Sequence, residues 1–245
     1  MPQRVNVDQL IRDLSKAGSA AGFEVATYGA TNQHPLIAMS RAGSSKGGRK
    51  IYISSGIHGD EPAGPLALLD ILQKNELPAE DDIYLCPLMN PDGLAAGKRE
   101  NAKGMDLNRD YSDFRSLEIA AHQQWVSKDI QALDLALHLH EDWEATGFYL
   151  YELNFSESPG LADVMLSAAA RFLPIEQASE IDGHPANSGI IRPEAPPEDL
   201  EGLPEAVYIQ TNFNCLNYTL ETPSGLELDQ RIAAQRAVIL AALKI

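Results

Sequence analysis

Apolar residues recur at helical spacing over residues 7–16 and a glycine follows, which predicts an opening amphipathic helix. Two short β-rich runs come next, "KIYISSG" (residues 50–56) and "DDIYLCPLMNPDG" (residues 81–93), each ending in turn residues. Between them "PAGPLALLDILQKN" (residues 62–75) reads as a helix begun by proline. This strand–helix–strand unit is the mark of a parallel sheet. Further along, "SLEIAAHQQWVSK" (residues 116–128) predicts a helix, and "LDLALHLH" (133–140) and the aromatic, core-like "GFYLYEL" (147–153) predict strands. A helix over residues 160–173, strands at "VYIQT" (207–211) and "CLNYTLET" (215–222), and a long amphipathic helix over 227–243 complete the pattern. The expected class is α/β: one domain over residues 1–245, with a central mixed, largely parallel sheet flanked by helices on both faces.

Residues 192–206, "RPEAPPEDLEGLPEA", break the pattern and read as a long surface loop whose acids, Glu194, Glu198, Asp199, Glu201 and Glu205, are solvated charges. The formal charge of −16 argues against a nucleic-acid or anionic-membrane partner. No run is long enough to span a bilayer and the start lacks a signal-type apolar core, so a cytoplasmic protein is expected. Cys86 and Cys215 lie in apolar segments and read as buried thiols.

In open α/β sheets, sites form beyond the carboxyl ends of strands. Four such ends here carry chemistry: "GIHGDE", "NPDG", "HLHED" and "LETP". His58 and Glu61 form an H-x-x-E pair able to offer zinc an imidazole and a carboxylate, although a solvated turn would look the same. His138 and His140 share one face of a strand, so either or both could reach the same ion; His140 stands nearer the strand end. Arg99 and Arg109 occupy a Gly-, Asn- and Asp-bearing loop where arginine forks could grip a carboxylate or stabilise an oxyanion. Glu221 closes an apolar strand, placed to take a proton from a metal-activated water or to serve as a plain loop charge.

The motifs "GIHGDE", "NPDG", "RENAKGMDLNRDY", "HLHED" and "TLETP" follow one another as in zinc carboxypeptidases (funnelins). The chain most resembles the small bacterial members without a propeptide, such as murein-peptide amidases. That resemblance, covering residues 58–221, implies one zinc ion on His58, Glu61 and His140. It implies Arg99 as oxyanion stabiliser, Asn108 and Arg109 as the clamp on a terminal carboxylate, and Glu221 as general base. Asp106 would orient His58. The implied function is a metallocarboxypeptidase acting on the last peptide bond, or a murein-peptide amide bond, of substrates with a free carboxylate.

Two departures stand out. His138 sits where relatives often have aspartate, leaving a further imidazole near the metal. No tyrosine falls between Tyr151 and Tyr208 to serve as the usual mobile lid, and His184 in "DGHPANSG" is the candidate stand-in. The alternative on the same scaffold is an N-acyl amino acid deacylase of the aspartoacylase/succinylglutamate desuccinylase type; the expected absence of an extra C-terminal domain favours the peptidase. A second alternative is a catalytically inactive metal-binding protein, against which every ligand and base position is filled. Neither the preferred side chain nor the oligomeric state is legible.

Overall fold

Along the central strands, alternate side chains enter two different layers. Ile51, Ile53, Leu135, Leu137 and Leu220 join one apolar core, whereas Tyr52 and Ala136 join another on the opposite face. The computed structural model describes residues 5–155, 159–193 and 202–244. Its elements are α1 (Val7–Ala20), β1 (Glu24–Ala30), β2 (Pro35–Arg41), β3 (Lys50–Ser55), α2 (Ala63–Lys74), β4 (Asp82–Cys86), α3 (Pro91–Ala96), α4 (Leu117–Asp129) and β5 (Leu135–Asp142). They continue with β6 (Tyr149–Leu153), α5 (Ala162–Ala169), β7 (Glu180–Ile181), β8 (His184–Asn187), β9 (Ile190–Ile191), α6 (Glu205–Phe213), β10 (Leu216–Pro223) and α7 (Leu228–Leu243).

Among the described residues these strands form one sheet in the order β1-β2-β4-β3-β5-β10-β6-β9-β8-β7. The pairs β4–β3, β3–β5 and β5–β10 are parallel. Both margins are mainly antiparallel, so the sheet is mixed and parallelism is concentrated at its centre. Helices α1, α2, α5 and α7 pack together on one face. Ala234, Val238, Ile239 and Ala242 of α7 are fully buried there, and each large aliphatic contributes roughly 1.5–3 kcal/mol by leaving water. Helices α4 and α6 pack on the other face.

One predicted strand is a helix. "VYIQT" belongs to α6, which follows Pro204, carries Glu205 in its first turn and ends at Asn214 with a left-handed φ of 47°. Its continuous apolar run, Val207 to Ile209, is buried throughout, and an unbroken run of that length has no period to separate helix from strand. The β1–β2 hairpin and the small strands β7 to β9 were not foreseen; β1 is largely exposed and lacks clean alternation. The "NPDG" motif builds α3, where the Asn90 side chain accepts from Gly93 N and Pro91 opens the helix. Of the predicted surface loop, residues 194–201 lie outside the described residues. Cys86 and Cys215 are free and buried.

Candidate metal centre

Strand β3 ends at Ser55, and the chain turns through Gly56 (φ 62°) to present His58 and Glu61 just before α2. A close backbone approach shapes this turn. A Cβ on Gly59 would lie 2.0 Å from the carbonyl carbon of Gly93, so the "HGDE" turn rests directly on the "NPDG" turn. Gly59 N also donates to Arg99 O at 3.2 Å. His140 comes from β5, in register with Glu221 of β10, and Glu221 in turn pairs with Tyr149 of β6. Residues directly opposite on neighbouring strands share a face.

His58, Glu61 and His140 converge, all buried, with one ligand atom from each lying within 4.8 Å of the others. His58 Nδ1 is 2.6 Å from Glu61 Oε1, His140 Nδ1 is 3.1 Å from Glu61 Oε2, and the two Nδ1 atoms are 3.3 Å apart. Donors held at about 2.1 Å by a tetrahedral zinc sit roughly 3.4 Å from each other, so the two-histidine, one-carboxylate set fits such an ion. His58 Nε2 lies 3.3 Å from Asp106 Oδ1, while the ring's Nδ1 faces Glu61 and His140.

Electrostatics also favour a cation here. Burial alone would lower the His58 pKa, but Glu61 and Asp106 outweigh it and raise it to about 9. Glu61 is held down to about 2, its burial overcome by His58 and His140. The Glu221 carboxyl is pushed well up, by burial first and then by Glu61 and Asp142, with Arg99 opposing. Two carboxylates in one desolvated site cannot both ionise cheaply without a positive charge between them.

Arg99 Nε pairs with Asp106 Oδ2 at 3.1 Å, and its Nη1 lies 3.6 Å from Glu61 Oε1. Asp106 caps the short 3-10 turn Leu107–Arg109 by accepting from Asn108 N. Asn108 is half-buried, and exposed Arg109 donates to the Asn108 carbonyl at 2.9 Å. His138 stands apart from the cluster: its Nδ1 lies 2.9 Å from Ser54 Oγ and 3.2 Å from Glu205 Oε2. His184 is exposed on the β7–β8 hairpin, its ring 5.9 Å from that of Tyr151, whose hydroxyl donates to Asp182 at 2.7 Å. Tyr149 donates to Asp142 at 3.0 Å. Trp143, just past β5, is 78% exposed.

Sequence reasoning missed a buried polar network under this centre. Tyr52 and Ser54 donate to the two oxygens of Glu205, at 2.6 and 2.9 Å. His122 bridges the Tyr52 and Tyr111 hydroxyls at 2.8 and 2.7 Å. Glu205 is 1% exposed, which corrects the reading of it as a solvated loop acid. For His122 a signal was present: it stands three residues after Ile119 and three before Trp125, on the buried stripe of α4.

Fold and centre together are of zinc carboxypeptidase-like type. The profile of the succinylglutamate desuccinylase/aspartoacylase catalytic domain matches residues 47–174, just over half of the chain, and the chain belongs to that family. The fold is also that of a proposed metallopeptidase of Shewanella amazonensis SB2B, with a TM-score of 0.83 and 26% identity over 96% of this chain and 91% of that one. A Pseudomonas aeruginosa metallo-carboxypeptidase, solved with (2-guanidinoethylmercapto)succinic acid, shares the fold at a TM-score of 0.69 and 19% identity, over 96% of this chain and 68% of that one. Curated relatives include carboxypeptidase SOL1 of Arabidopsis thaliana, 38% identical over 73 residues, which are 25% of this chain and 15% of that protein. Carboxypeptidase 2 of Trichophyton tonsurans is 33% identical over 103 residues, 38% of this chain and 18% of that protein. The chain thus spans less than a fifth of the length of these curated relatives. Among the described residues no helix is long and apolar enough to cross a membrane.

Proposed function

We propose that the chain is a zinc-dependent metallocarboxypeptidase, hydrolysing the C-terminal peptide bond, or a murein-peptide amide bond, of substrates with a free carboxylate. The observation that carries this reading is the convergence of His58, Glu61 and His140 in one buried cluster, with Glu221 in register beside His140. A zinc ion held by those three residues would supply Lewis acidity and bring the pKa of a water down to about 7. Glu221 takes a proton from the attacking water and returns it to the leaving nitrogen, so that amide and water become carboxylic acid and amine. Arg99, whose Nη1 lies 3.6 Å from Glu61 Oε1, stabilises the oxygen on which negative charge develops. Asn108 and Arg109 hold the free carboxylate so that the terminal bond is presented.

The family match supports a second reading, hydrolysis of N-acyl amino acids. Both substrate classes carry a free carboxylate next to the scissile amide, so one scaffold serves either. Mass spectrometry separates them. The zinc-loaded protein would be incubated with peptides bearing free C-termini, their amidated twins, N-acyl amino acids and a murein tripeptide. Loss of one terminal residue from free-acid peptides or from the murein tripeptide is the expected result. Cleavage confined to N-acyl amino acids would transfer the chain to the deacylase reading. No cleavage by protein that carries zinc would favour an inactive metal-binding protein.

A further inference from the structure

Residues 202–205 run alongside residues 108–111, and three contacts join them. Leu203 forms a parallel bridge with Asp110, and Tyr111 N donates to Leu203 O at 3.2 Å. Glu205 N donates to Asn108 Oδ1 at 2.9 Å. With that oxygen engaged as acceptor, Asn108 keeps its amide nitrogen as a donor, the end a substrate carboxylate requires. Arg109 is braced from the same segment. Gly202 has φ 84°, and a Cβ there would lie 2.3 Å from Arg109 O and 2.8 Å from Arg109 Cβ. Only glycine fits that approach without moving Arg109.

The segment is anchored by the Glu205 side chain. A fully buried carboxylate costs several kcal/mol unless its lone pairs are satisfied. Here Tyr52, Ser54 and His138 surround it at 2.6, 2.9 and 3.2 Å. Tyr52 and Ser54 belong to β3, which leads into His58 and Glu61, and His138 belongs to β5, which carries His140. One carboxylate therefore ties the strands that present the cluster to the backbone that holds Asn108 and Arg109.

We propose that Glu205 and Gly202 are positioning residues for the Asn108–Arg109 clamp, fixing its distance and orientation relative to the metal centre. The inference rests on the clamp reading given above and holds for either substrate class. It assigns no chemistry to Glu205, which lies beneath the site, shielded from substrate.

The test compares a free-acid substrate with its amide, using the zinc-loaded full chain and whichever substrate class the wild type hydrolyses. Glu205→Gln keeps the shape but turns an amide NH2 toward groups that donate; Gly202→Ala acts near the surface and leaves the buried network intact. Each variant should reduce the free-acid preference in kcat/KM about tenfold, through a higher KM with kcat within about twofold. Zinc content should stay at one per chain. The effect of Glu205→Gln should vanish in an Asn108→Ala background, and that of Gly202→Ala in an Arg109→Ala background. Equal losses on acid and amide, or a tenfold effect that persists in those backgrounds, would overturn the positioning role while leaving the clamp reading intact. A wild type that hydrolyses acid and amide equally well would instead refute the clamp reading, and the inference with it.

Discussion

His122 offers a stability prediction whose sign follows from proton bookkeeping in the buried network. Tyr52 O–H donates to Glu205, so the Tyr52 oxygen is left to accept from His122 Nε2–H, and His122 Nδ1 accepts from Tyr111 O–H. This assignment satisfies every partner with the imidazole neutral. Burial lowers the His122 pKa from 6.5 to about 4, with Glu205 opposing and His138 adding to the shift. Because the folded value is the lower one, the unfolded chain binds the extra proton first. The stability is present above pH 6.5 and is lost as pH falls toward 4. Between pH 7 and pH 5 the loss comes to about 2 kcal/mol. His122→Gln removes the titration while keeping one donor and one acceptor. It should cost about 1–3 kcal/mol at pH 7 through poorer bonds. Urea unfolding of both proteins with a chelator present, at pH 7, 6 and 5, isolates this group, because the titrations common to both cancel in the difference. The gap between wild type and variant should narrow by about 2 kcal/mol toward pH 5. A gap that stays constant would mean that His122 titrates in the fold at its ordinary pKa, and the neutral network would be wrong.

The metal centre yields three further outcomes. Glu221→Gln should retain one zinc per chain, by elemental analysis, and lose about 10²–10⁴-fold in turnover; full activity would sink the base assignment. His140→Ala should lose turnover, bound zinc and the zinc-dependent rise in Tm, since the wild type gains about 2.7 kcal/mol at a hundredfold excess over Kd. Arg109→Ala should weaken free-acid substrates in particular, seen as a higher KM, and an equal loss on amidated substrates would count against a carboxylate clamp.

The fold was legible where period and punctuation agreed. The alternation in β3 and β5, the proline opening of α2 and the stripe of α7 each gave one reading, and each matches the element found. It was illegible where tertiary packing decides the conformation. Residues 207–211 are rich in β-formers, yet they lie in α6, whose first turn is bonded to groups far away in sequence: Asn108 through Glu205 N, and Tyr52 and Ser54 through the Glu205 side chain. β1 reads poorly because a margin strand with exposed side chains needs no strict apolar alternation.

The same physics separates the visible half of the site from the hidden half. His58 and Glu61 are three apart on one turn and His140 closes a strand, so local spacing and strand-end position expose them. Glu205 sits in a stretch of prolines and acids, where a solvated charge is the economical interpretation. Its partners Tyr52, Ser54 and His138 precede it by 153, 151 and 67 residues. Tyr52 and Ser54 look like an ordinary aromatic and an ordinary serine on a core strand, and His138 invites assignment to the metal because His140 is two positions away. His138 lies outside the His58–Glu61–His140 cluster, with its Nδ1 engaged by Ser54 and Glu205 and its Nε2 buried without a hydrogen-bond partner among the described residues, a fact about three chain segments at once. A ligand motif must be compact in sequence if the turn that carries it is short. A positioning carboxylate has no such constraint: it needs only donors at the right place in space, and the parallel sheet draws them from strands separated by long crossovers.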